Sequence, residues 1–127
     1  MKAREDQTKF RSGVVHLERR KYPRFNVDLP IEYKIDVSTN RNGRAMNLSE
    51  GGMLIHSVDQ MEIGQCLKSK LVFIIGSEID TIEAEAEVIW RDIYSNRAWG
   101  DHRCGVRFLD ISGRDKNKLK DLLINLF

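Results

Sequence analysis

The sequence predicts an all-β domain closed by one helix. Three observations carry that reading. Apolar and polar residues alternate with a period of two in several separate segments, no helical period lies between those segments, and a helical period begins only at Ser112. Several strands without intervening helices fit a barrel or a sandwich better than an open parallel sheet. The 127 residues, 41% of them hydrophobic, suffice for one core and leave two halves each short of one. No apolar run reaches the roughly 20 residues that a membrane-spanning helix needs.

The elements follow in order. Up to Lys21 no period is sustained, and the segment reads as an arm, with Tyr22-Pro23-Arg24 breaking the chain into extended backbone. Ile31, Tyr33, Ile35 and Val37 alternate with Glu32, Lys34 and Asp36, which predicts the first strand. Asn42-Gly43 is a hairpin signal, with Arg44–Asn47 as a short return strand. Asn47-Leu48-Ser49-Glu50-Gly51-Gly52 then reads as a tight corner before Met53-Leu54-Ile55. Leu67, Ser69, Leu71 and Phe73 form the next alternating run, which Ile74-Ile75-Gly76 ends. Ile82, Ala84, Ala86, Val88 and Trp90 form a long inner face opposite Glu83, Glu85, Glu87 and Arg91. Cys104, Val106 and Phe108 alternate with Gly105 and Arg107. Ser112 is an N-cap with Asp115 three residues on, and Leu119, Leu122, Leu123 and Leu126 lay an apolar stripe along a helix running to the end.

Charge is divided unevenly. Basic residues number 21 and acidic residues 19, for a net +2, yet residues 1–24 hold eight basic against three acidic side chains. A basic arm on a mildly acidic body points to an anionic partner, or to a solvated leader. Cys66 and Cys104 lack metal-type spacing and sit in apolar strand-like stretches, which predicts buried free thiols. The polar, charged stretch Met1–Gly13 does not resemble a signal peptide, so a reducing cytoplasm is the expected location.

Catalysis finds no foothold. His16, His56 and His102 are far apart and have no ligand spacing, and neither a Walker loop nor a dinucleotide-binding glycine fingerprint is present. Glu83, Glu85 and Glu87 have the period of one exposed strand face, where solvation explains them better than acid–base work. The chain is therefore expected to be a binding protein rather than an enzyme, with no metal and no cofactor.

Two features remain. In Arg19-Arg20-Lys21-Tyr22-Pro23-Arg24, guanidinium forks suit phosphate oxygens and the O6/N7 edge of guanine, since both offer paired acceptors. In the corner, Asn47 and Ser49 offer polar side chains, while Gly51 and Gly52 let a ligand approach the backbone. Taken separately, a basic linker and an Asx-type turn account for them.

Together, Arg20-x-x-x-Arg24 followed by Asn47-x-Ser49-x-x-Gly52 resembles the two-part signature of the PilZ domain family, receptors for cyclic di-GMP. Ala86–Arg91, Cys104–Phe108 and the closing helix are similar to that family's late elements. The resemblance implies a small antiparallel β-barrel of about six strands with a C-terminal helix. It divides the chain into a basic arm, residues 1–17, and a PilZ domain, residues 18–127. It implies that Arg20 and Arg24 clamp guanine edges and phosphates and that Asn47 and Ser49 bond the base and a neighbouring phosphate. Gly51 and Gly52 would shape the turn, Arg19 would favour a stacked ligand dimer, and Trp90 would offer an aromatic surface. Asn47 stands where the family often has Asp, so the charge assistance of a carboxylate is missing. A downstream protein partner is expected. The competing readings are an adaptor of the same fold that ignores the nucleotide and a single-stranded nucleic-acid binder. The latter is disfavoured because Tyr33, Phe73, Trp90 and Phe108 occupy positions that look internal.

Overall fold

The computed structural model describes residues 22–36, 39–96 and 100–126. These residues form six antiparallel strands and one helix: β1 (Phe25–Lys34), β2 (Arg41–Leu48), β3 (Gly52–Ser57), β4 (Cys66–Ile75), β5 (Glu78–Asn96), β6 (Gly100–Ile111) and α1 (Gly113–Asn125). The strands close a barrel in the order β1-β2-β3-β6-β5-β4, which resolves the choice between barrel and sandwich.

Alternation decides what lies inside. Ile31 and Tyr33 from β1, Leu67, Leu71 and Phe73 from β4, and Ile82, Ala86 and Val88 from β5 point into one core with Ile55 and Val106. Tyr33 buries its ring and donates its hydroxyl to the Asp59 carboxylate, and burial raises its pKa. On the outer face, Glu32, Lys70 and Glu83 stand in one cross-strand row, and Lys34, Lys68 and Glu85 in the next. Of the glutamates that suggested a carboxylate cluster, Glu83 and Glu85 thus face lysines on the outer face, and Glu87 pairs with Arg107, as their period predicted.

Four sequence expectations need correction. Asn42-Gly43 lies inside β2, paired with Glu32 and Ile31, and the reversal falls before Arg41. Gly43 answers a different need, because a Cβ there would lie 2.6 Å from the His56 carbonyl oxygen. β1 starts at Phe25, six residues before the first alternating isoleucine, because Phe25–Pro30 pair with β2 alone. Cys66 is exposed: with Leu67 inward, the pleat turns its neighbour out. Only Cys104 is a buried thiol, and burial pushes its pKa up to about 12. Finally, Leu126 is exposed at the C-cap, while Leu119, Leu122 and Leu123 enter the core.

The helix is latched to the barrel by polar contacts as well. Ser112 caps it, its hydroxyl accepting from the Asp115 amide at 3.1 Å. Asp115 is buried, and its Oδ2 accepts from the Glu83 amide at 2.9 Å, just past the point where β6 ends opposite Ala84. A helix carboxylate thereby continues the ladder that the strand leaves open. Lys118 donates to Asp80 at 2.8 Å and to the Thr81 carbonyl at 3.0 Å on the same edge. Asp115→Ala orphans a strand amide and is expected to lower unfolding stability by about 1–3 kcal/mol, with Asp115→Asn costing less because it keeps an acceptor. Urea denaturation of both variants measures this, and two unchanged midpoints would remove the latch from the account.

Candidate ligand-binding face

The corner forms between β2 and β3. Leu48 pairs with Met53, and the Ser49 amide donates to the Gly52 carbonyl at 2.9 Å, closing the turn. Ser49 is buried, and its hydroxyl oxygen accepts from the amides of Gly51 (3.1 Å) and Gly52 (3.2 Å). The hydroxyl therefore organises the corner, an Asx-like role that its spacing to the glycines makes possible. Gly52 pairs with Arg107 of β6, where a Cβ would meet the Val106 carbonyl oxygen at 2.0 Å. The Phe108 amide donates to the Gly51 carbonyl at 2.8 Å.

Register brings the start of β1 to this corner. Phe25 pairs with Leu48 and Asn26 with Asn47, so Arg24, exposed, enters beside Ser49 although it lies 25 residues away in the chain. Tyr22 lies against the corner: a Cβ on Gly51 would sit 3.0 Å from its Cδ2. Where the chain enters, Pro23, Phe25 and Glu50 face Lys120, Leu123 and Ile124 of α1 across a groove of about 380 Å³. Arg19 and Arg20, like residues 1–17, lie outside the described residues.

Trp90 belongs to the same face. The pairing of β5 with β6 shifts between Val88 and Trp90, a bulge that leaves Val88 inward but sets Trp90 opposite Gly105. The inner-face expectation for Trp90 fails for this reason: the alternation skips a residue. A Cβ on Gly105 would lie 2.1 Å from the indole Nε1 and 2.5 Å from Cε2, so the ring lies across the bare glycine. Asn47 pairs with Leu54, Leu54 with Gly105 and Gly105 with Trp90, one row across β2, β3, β6 and β5. Antiparallel partners share a face, so Asn47 and the indole stand on one outer surface.

The adjoining row is polar. Arg44, His56, Arg103 and Asp92 are partners across the same four strands. Arg103 grips Asp92 through two bonds of 2.7 and 2.9 Å, which holds the Asp92 carboxyl below its ordinary pKa, and its guanidinium lies 5.8 Å from the Trp90 ring centre. Burial and the Arg103 charge lower the pKa of His56, favouring the neutral ring. Arg44 bonds Asp28 at 2.8 Å and Arg107 bonds Glu87 at 2.6 Å. Each of these three guanidinium groups already holds a carboxylate.

Sequence reasoning missed Tyr22, Leu54, Gly105 and Arg103. A glycine inside an alternating strand is a signal for close approach, and Gly105 carried it. Nothing in the sequence pointed to Leu54 or Arg103, because their relevance comes from cross-strand register alone. Among the described residues no group of His, Cys, Asp and Glu could hold a metal ion.

The core is filled with side chains, and the polar groups that converge lie outside it, at the β2–β3 corner and on the row beside it. This is a closed six-stranded antiparallel barrel with a C-terminal helix. The chain belongs to the PilZ domain family, whose model matches residues 18–125. The fold is similar to that of the Bacillus subtilis inhibitor of motility, MotI/DgrA (TM-score 0.71, 20% identity, covering 86% of this chain and 51% of that one). It is also similar to the PilZ domain with c-di-GMP of YcgR from Escherichia coli (TM-score 0.66, 17% identity, covering 86% and 92%). A third similar structure is the K. pneumonia MrkH–c-di-GMP complex (TM-score 0.67, 17% identity, covering 87% and 53%). The chain thus spans about half the length of MotI/DgrA and MrkH. No curated protein sequence matches it. No helix among the described residues is long and apolar enough to cross a membrane.

Proposed function

We propose that this protein is a cytoplasmic receptor for cyclic di-GMP that binds the nucleotide at the β2–β3 corner and on the row beside it, and signals to a downstream protein without catalysing a reaction. The observation that carries the reading is that the chain at Arg24 enters beside the Ser49 corner, where Asn47 heads an outer row that runs through Leu54 and Gly105 to Trp90. The presence of c-di-GMP in the YcgR and MrkH structures of similar fold supports the choice of ligand.

Each group has a chemistry that suits a guanine dinucleotide. Arg20 and Arg24 offer forks to phosphate oxygens and to the O6/N7 edge, and Arg19 offers a third fork to a second nucleotide. The Asn47 amide can donate to guanine acceptors and accept from its N–H groups, without the strength of a carboxylate. Ser49, Gly51 and Gly52 keep the corner tight, so that a base or phosphate reaches the backbone. The Trp90 indole, backed by Arg103, is a flat surface for a purine. Binding folds the arm, residues 1–17 and the arginines that follow, over the nucleotide, and the ordered arm is what the partner reads.

Isothermal titration calorimetry with cyclic di-GMP, and with GTP as control, tests this. Saturable heat with cyclic di-GMP alone is the expected result, and its stoichiometry distinguishes one bound nucleotide from a stacked pair. No heat at high ligand concentration would overturn the receptor reading and leave a PilZ-fold adaptor that docks its partner without nucleotide.

A further inference from the structure

We propose that a second copy of this chain docks on the free edge of β4, pairing Val72–Ile75 antiparallel with the same segment of its partner and forming a two-fold dimer. The reading is independent of the nucleotide site.

The barrel is closed at its β1–β4 seam by four residue pairs only, from Ile31 opposite Leu71 to Lys34 opposite Lys68. Beyond Leu71, β4 continues through Ile75 and pairs there with β5 alone. β1 cannot follow it. Pro30 has no amide hydrogen to give a ladder, and the bulge between Asn26 and Leu29 bends that half of β1. The helix does not substitute either, because Asp115 and Lys118 fasten α1 to Glu83 and Thr81, on the edge of β5 that faces away from β4. The side of Val72–Ile75 turned from β5 therefore presents main-chain donors and acceptors with no strand beside them among the described residues.

Natural sheets blunt such an edge with charge, proline or a bulge. Here Val72–Ser77 contains no charged residue and no proline. The side chains are equally unguarded: Ile74 is 69% exposed and its cross-strand partner Ile79 is 72% exposed, with Ile75 beside them. An antiparallel edge is complementary to itself, since a two-fold axis sets each donor against an acceptor of the other copy. With the axis near Ile74, Ile74 and Ile79 of both copies merge into one apolar patch on the outer face. That burial and the added ladder are what an uncharged edge of this kind lacks in the monomer.

Sedimentation velocity of the full chain without nucleotide, from low micromolar to millimolar, tests the proposal. Conversion of monomer to dimer with concentration is expected. Ile74→Lys sets two like charges across the axis and should raise the midpoint by about tenfold or more. Ile124→Lys, which alters an equally exposed isoleucine on α1, should leave the midpoint unchanged. Circular dichroism confirms that both variants fold. A chain that stays monomeric to millimolar, or a dimer that Ile74→Lys leaves intact, overturns the proposal. So does slow amide exchange at Val72–Ile75 in dilute monomer, which would mean that the chain's own residues cover the edge.

Discussion

Gly52→Ala is expected to cost this protein most of its stability, whatever it does to ligand binding. The added methyl group would stand 2.0 Å from the Val106 carbonyl oxygen and 3.1 Å from the Arg107 Cα, and both belong to backbone that no rotamer change can move aside. Relief requires β3 to part from β6 at the Gly52–Arg107 pair. That movement takes with it the Ser49–Gly52 backbone bond and the Phe108–Gly51 bond, which are the ties of the corner. Overpacking alone costs about 1–3 kcal/mol, and each buried amide left without a partner adds a comparable amount. A loss of about 4 kcal/mol or more is therefore expected, a large share of the roughly 5–15 kcal/mol that holds a small domain together. The check is the urea midpoint of Gly52→Ala beside the parent chain. A midpoint within error of the parent would show that the strand separation is softer than this geometry allows.

Arg24→Ala is expected to do the opposite: to leave the midpoint nearly unchanged and to remove cyclic di-GMP binding. Arg24 is exposed, so its truncation disturbs no packed interior, and substitutions of that kind usually stay within about 0.5 kcal/mol. Binding loses a charge-assisted fork, and removing one partner of such a pair costs about 2–5 kcal/mol, or about thirtyfold to several thousandfold in Kd. Arg20→Ala should behave alike. Arg24→Lys is informative, because it keeps the charge but not the two parallel donors, and only partial recovery is expected from a point charge. Calorimetry on the three variants with thermal melts alongside separates the outcomes. Full affinity in both alanine variants would take the arginines out of the site. Lost affinity together with a lowered melting point would assign Arg24 to the fold instead.

The contrast between these two substitutions follows how each half of the signature is built. The corner half is structural before it is chemical. Ser49 spends its hydroxyl on the Gly51 and Gly52 amides, and Gly52 exists to let β6 pass. Of the arginine half, Arg24 is exposed beside the corner, so its side chain is open to solvent where the Ser49 hydroxyl is buried.

Much of the architecture was legible in the chain itself. Period-two alternation is a local property, and it marked Ile31 and Tyr33, Leu67 to Phe73, and Ile82 to Val88 as inward-facing because each side chain takes its side from its neighbour. Ser112 and Asp115 announced the helix for the same local reason. The signal failed where a contact distant in sequence was in control. Asn42-Gly43 looked like a turn, since a glycine needed for a left-handed backbone and one needed for close approach to the His56 carbonyl read identically. Trp90 looked internal because a bulge leaves no local mark in the alternation it interrupts.

What the sequence determined by itself was therefore the all-β class, the closing helix, the inward residues and the two motifs, all of which depend on spacing along one strand or one turn. Tertiary structure alone decided the strand order in which the barrel closes, that Arg24 arrives beside Ser49, and that Asn47, Leu54, Gly105 and Trp90 share one row. The physical reason is that cross-strand register is set by hydrogen bonds and packing between segments far apart in the chain, and one added residue in a bulge moves a side chain from the core to the surface.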